Sequence, residues 1–157
     1  MNKIDHILVP LDGSELSEKA LVAAYTIAGM SNAEITLLRV LHPVEKSIKI
    51  DEHHAIYVDQ QINFRTTRAN EYLKKIRNLA EKTFTINIVV EMGDAAETII
   101  NFASKNSIDL IIMSTHGRSG MKRWVYGSVA GKILSHAYNP VLLIRSYPGE
   151  KGENVVL

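Results

Sequence analysis

Cysteine is absent from the 157 residues of this chain. That excludes a disulfide framework, a thiolate nucleophile and any zinc site built on cysteine. Proline and glycine are sparse, at 4 and 9 residues, which argues against a low-complexity or collagen-like chain. Neither sign of charge dominates: 18 Lys and Arg face 17 Asp and Glu, a net charge of +1. The chain therefore lacks the basic footprint of a nucleic-acid or anionic-membrane binder, and neither partner is expected. No stretch approaches the about 20 apolar residues that a membrane helix requires. Near the N-terminus, Asp5 and Asp12 bracket only a short apolar run, so no signal-peptide core is expected. What remains is the expectation of a soluble cytoplasmic protein, with residues 1–157 forming one domain around one sizeable core.

The residues that are present alternate between two patterns. Short, continuously apolar runs lie at Ile7-Leu8-Val9, Ile35 to Val40, Ile86 to Val90, Leu110 to Met113 and Val141 to Ile144. Unbroken runs of this length fit strands buried on both faces, as in a parallel sheet. Between them the apolar residues take helical spacing. Leu16, Ala20, Ala23, Ala24 and Ile27 share one face, and Ile62, Ala69, Leu73, Ile76 and Ala80 another. Ala96, Ile99, Ile100 and Ala103 form a third, and Val129, Ile133, Leu134 and Ala137 a fourth. Asp94, followed by Glu97, reads as a helix N-cap with its partner. Gly29 reads as the stop of the first helix, and Asn139-Pro140 as the stop of the last. The segment from Leu41 to Asp59 reads as polar and irregular, and the 146–157 tail as mobile. Strict β-α alternation predicts a doubly wound five-stranded parallel sheet with helices on both faces.

In open α/β sheets, ligands bind beyond the carboxyl ends of the strands where the strand order reverses. The first strand ends in Pro10-Leu11-Asp12-Gly13-Ser14. Asp12 offers a carboxylate to a ligand there, or else Asp12 or Ser14 simply caps the next helix. The second strand ends at Val40, whose side chain reads as core; whether its backbone faces a base is decided by nothing local. After the fourth strand come Met113-Ser114-Thr115-His116-Gly117 and then Tyr126-Gly127-Ser128-Val129-Ala130. Small residues let a backbone approach a ligand closely. Gly127-Ser128 opens the last helix, whose unpaired N–H groups suit an anion. A plain turn with an ordinary cap would look the same at this level.

Taken with Val9-Pro10-Leu11-Asp12-Gly13-Ser14 and Asn139-Pro140-Val141-Leu142-Leu143-Ile144, these residues carry a resemblance. The chain resembles the universal stress protein family from about Lys3 to Arg145. Its ATP-binding members carry Gly-x2-Gly-x9-Gly-Ser/Thr after the fourth strand. Here the pattern is Ser114-x2-Gly117-x9-Gly127-Ser128, with serine at the first glycine. The resemblance implies strand order 3-2-1-4-5, which sets the first and fourth strand ends side by side. It implies that Pro10, Leu11, Asp12 and Val40 hold adenine and ribose. Met113, Ser114, His116 and Gly117 would line the ribose–phosphate path, and Gly127, Ser128, Val129 and Ala130 would meet the phosphates. The ligand so implied is ATP, or ADP or AMP, with Mg²⁺ or Mn²⁺ bound through the phosphates. A homodimer through the last strand is implied as well.

Other chemistry is less well supplied. His53-His54 are adjacent, point apart and lack a third ligand, so a solvated loop is expected instead of a metal site. His116 has no acid or nucleophile placed to use it as a base. There is no Walker A motif and no clear general base, so ATP hydrolysis is expected to be slow at most. Glu91-Met92-Gly93 and Arg145 do not supply the Asp and Lys of a phospho-receiver domain. Leu11-Asp12-Gly13-Ser14 is not the Ser-Gly-Gly-x-Asp-Ser loop of an ATP pyrophosphatase. Two functions remain: a stress-response regulator that binds an adenine nucleotide, or a family member that binds none and acts as a dimeric protein-interaction module. Serine at position 114 favours the second.

Overall fold

A computed structural model describes residues 3–44, 52–80, 82–115 and 126–145, with side chains from residue 55 onward in the long helix. The elements run β1 (His6–Pro10), α1 (Glu15–Glu18), α2 (Ala20–Ser31), β2 (Glu34–Leu41), α3 (Glu52–Leu79), β3 (Ile86–Met92), α4 (Ala95–Lys105), β4 (Leu110–Ser114), α5 (Ser128–His136) and β5 (Val141–Ile144). All described strand pairs are parallel, in the order β3-β2-β1-β4-β5. The chain is thus a five-stranded α/β fold of the expected order.

The unbroken apolar strands explain the two layers. Ile7, Leu8 and Val9 are all fully buried, because successive strand residues point to opposite faces and both faces are covered. Ile7 and Val9 join Leu37, Ala24 and Leu73 in the layer formed with α2 and α3. Leu8 joins Leu38, Ile99 and Ile133 in the layer formed with α4 and α5. Each such side chain contributes roughly 1.5–3 kcal/mol by leaving water.

Local signals held in some places and were overridden in others. Asp94 does cap α4, its side chain accepting the Glu97 N–H at 3.1 Å. That bond holds the Asp94 carboxyl below the usual range, with Lys132 adding to the effect. Gly29 does not end its helix. The helix runs on to Ser31, and Asn32 takes the left-handed stop at φ 57°, a conformation asparagine tolerates better than most residues. Asn139-Pro140 does not set the end of α5 either, since that helix stops at His136. Instead the Asn139 amide donates to the Ile108 carbonyl at 2.6 Å.

The reading of Leu41 to Asp59 as irregular also needs correction. Leu41 closes β2, and residues 52–59 are the first turns of the 28-residue α3. His53 and His54 thus lie on a helix and not in a loop. Within residues 55–59 only Val58 is buried and Ile56 and Tyr57 are exposed, so no apolar stripe announces this stretch. Residues 45–51 and the 146–157 tail lie outside the described residues.

Candidate functional site at the strand-order reversal

The strand order reverses at β1, whose neighbours are β2 and β4. Beyond the carboxyl ends of these strands lies a cleft of about 260 Å³, near the small end of small-molecule sites, roughly 300–1,000 Å³. Its apolar wall includes Leu38, Val40, Ile99 and Met113, and its polar groups Asp12, Ser17, Ser114, Thr115 and Ser128.

The β1–α1 loop is built by short polar side chains. Leu11 continues the sheet by donating to the Leu38 carbonyl at 2.9 Å. The Asp12 carboxylate accepts the Ser14 N–H at 2.9 Å and the Ser14 hydroxyl at 2.5 Å. Ser14, and not Asp12, is the N-cap of α1: its Oγ accepts the Ser17 N–H at 3.1 Å. Ser17 in turn accepts the Asp12 N–H at 3.3 Å. Gly13 sits at φ 81°, where L side chains are strained. The loop's shape is thereby fixed before any ligand arrives.

Across the cleft, Ser114 and Thr115 are each 6% exposed. Thr115 extends the β4–β5 ladder by donating to Ile144 at 2.9 Å, and its carbonyl accepts the Gly127 N–H at 3.0 Å. This last bond pins the start of α5 to the end of β4. Gly127 has φ −54° and ψ 155° and supplies no side-chain cap. On the cleft's third side stands the N-terminus of α4, with Lys132 of α5 lying 3.7 Å from Asp94.

Of the residues singled out from sequence, Pro10, Leu11, Asp12, Val40, Met113, Ser114, Gly127, Ser128, Val129 and Ala130 line this one cleft. His116 and Gly117 lie outside the described residues. Ser17, Leu38, Ala95, Ile99 and Thr115 line it too and were missed. Ser17 had a signal, three residues past the Ser14 cap. Ala95 and Ile99 had none, because only packing brings α4 against this opening.

A model of the Universal stress protein family matches residues 3–145. The chain belongs to that family. Universal stress protein MJ0531 of Methanocaldococcus jannaschii is 32% identical over 153 residues, covering 92% of this chain and 84% of its own. Universal stress protein YxiE of Bacillus subtilis is 31% identical, covering 88% and 97%. Among solved structures, the universal stress protein from Arabidopsis thaliana with AMP bound shares the fold at a TM-score of 0.64. It is 16% identical and covers 96% of this chain and 97% of its own.

The universal stress protein cleft described here has one acid among its described lining residues, Asp12. Among the described residues no three His, Asp or Glu converge on a metal. No described helix is long and apolar enough to cross a membrane.

Proposed function

We propose that this universal stress protein is a stress-response regulator that binds an adenine nucleotide, ATP or else ADP or AMP, in the cleft at the strand-order reversal. One observation carries the reading. The uncapped start of α5 at Gly127 is tied to the end of β4 and faces the same cleft as Asp12, with an apolar wall between. An apolar slot suits a base, and helix N–H groups suit phosphates. In this reading Pro10, Leu11, Asp12 and Val40 hold adenine and ribose. Met113 and Ser114, with His116 and Gly117, flank the ribose–phosphate path. Gly127, Ser128, Val129 and Ala130 meet the phosphates. With Asp12 the single acid among the described lining residues, Mg²⁺ or Mn²⁺ is held chiefly through the phosphates, and residues 1–157 act as one domain. The AMP-bound relative supports the choice of nucleotide by analogy of fold. Titration calorimetry with millimolar ATP and Mg²⁺ should give binding heat and a raised melting temperature. No heat and no thermal shift would overturn this reading in favour of a protein-interaction module.

Association has its own supporting observation. β5 is an edge strand of four apolar residues, and Leu142 is 36% exposed. Exposed apolar edges invite pairing, so we extend the proposal to a two-fold homodimer through β5. Light scattering after size exclusion should give the mass of a dimer, which Leu142→Lys shifts toward monomer because it puts a charge into the interface. A wild-type monomer at tens of micromolar, or a dimer indifferent to that substitution, would rule out this surface.

A further inference from the structure

Arg39 lies one residue beyond Leu38 in β2. Leu37 packs in the α2–α3 layer and Leu38 in the α4–α5 layer, so strand alternation returns Arg39 to the α2–α3 side. The apolar wall of the cleft, Leu38 and Val40, faces the other way. From behind, the Arg39 guanidinium donates to the Leu11 carbonyl at 3.2 Å. The same group covers Gly13: a Cβ there would stand 3.2 Å from Nη1, 3.4 Å from Nη2 and 3.5 Å from Cζ. One planar cation thus engages the residues on both sides of Asp12. A separate bond ties α3 to α1, the Tyr72 hydroxyl donating to Glu18 at 2.9 Å.

We propose that Arg39 is a positioning residue for the candidate nucleotide site, setting the Leu11–Gly13 turn so that Asp12 is presented to the cleft. The proposal rests on the nucleotide reading of that cleft. Its physical basis is the fork of the guanidinium: a rigid plane can donate to a carbonyl and occupy the space beside Gly13 where a side chain would begin, which a lysine ammonium cannot do as well. Gly13 is compatible with that plane for two reasons. It has no Cβ to push the guanidinium away, and its φ of 81° turns the chain toward α1.

Two variants test this, Arg39→Met and the more conservative Arg39→Lys. Each is compared with wild type by calorimetry with AMP and with Mg-ATP, and by amide hydrogen exchange at residues 11–17 without nucleotide. Arg39→Met should weaken nucleotide binding about tenfold, the weight of one hydrogen bond from a charged group. The Asp12 and Ser14 amides, bonded to Ser17 and Asp12, should exchange faster in the same variant. Arg39→Lys should fall between the two, and it carries the test if Arg39→Met does not fold. Unchanged affinity in a folded variant, with wild type binding, would overturn the proposal whether or not exchange changes. Weaker affinity with unchanged exchange would overturn it too, since the turn would then not be the link. If wild type binds no nucleotide, the site reading fails, and the exchange data still report whether Arg39 holds the turn.

Discussion

The two ends of the sheet use the same strands and solve opposite problems. At the amino ends, polar groups are consumed by the chain itself. The Asp109 carboxylate accepts the N–H groups of Asp5 and His6, each at 2.9 Å. The Asp109 N–H donates back to the His6 carbonyl at 2.9 Å. The His6 ring meets the buried Thr36 hydroxyl at 2.8 Å, and Asn139 ties the β5 approach to Ile108. At the carboxyl ends the polar groups are bonded within the chain too, as in the Asp12–Ser14–Ser17 loop, but they also border a cleft. Ser17, Ser114 and Thr115 are nearly buried in the protein yet line that opening. One end is a seam that stabilises; the other holds a shaped opening among small residues. In a parallel α/β fold the two ends can therefore be altered almost independently.

The sharpest way to break the carboxyl end alone is Gly127→Val. The Gly127 backbone has φ −54°, which any L-residue adopts, so the fold should survive. The added bulk would enter the proposed phosphate position. Nucleotide affinity should fall at least about tenfold with a near-normal melting temperature. Equal affinity in the folded variant would remove α5 from the site.

At the amino end the opposite pattern is expected. Asp109→Ala strands two backbone donors that met a carboxylate, so urea unfolding should show a loss of about 2 kcal/mol. Nucleotide affinity should stay within the error of the measurement. A matching drop in affinity would show that the ends are coupled and would undo the comparison.

The smallest expected effect lies behind the carboxyl end and concerns alkaline pH. Burial, and then the hydrogen bond to Glu18, push the Tyr72 phenol above its ordinary value of 10.0. The folded state therefore keeps this proton longer than the unfolded chain does. Its contribution is complete below about pH 10 and is lost as pH rises through the folded value. Tyr25 is raised in the same direction, mainly by burial. Tyr72→Phe should make the alkaline loss of stability shallower, and an identical pH profile would show that Tyr25 or other groups dominate it.

Much of this was readable in the chain itself. Continuous apolar runs such as Ile7-Leu8-Val9 determined buried parallel strands, because only a strand covered on both faces has no use for alternation. Asp94 determined a helix start, because a cap acts over three residues and needs no distant partner, whereas between Asp12 and Ser14 only the structure chose Ser14. The fourth-strand pattern Ser114-x2-Gly117-x9-Gly127-Ser128, read through the family resemblance, pointed to the strand end where the cleft opens. The first turns of α3 were not readable, since an exposed helical segment with little to bury leaves no period to detect. Nor was the break between α1 and α2, which falls at Lys19 inside a continuous apolar stripe. Only the tertiary structure brought Ala95 and Ile99 to the cleft and set Arg39 behind Gly13. Those neighbours lie on different elements, and their meeting depends on how whole helices pack across the sheet. Spacing along one segment of the chain carries no record of it.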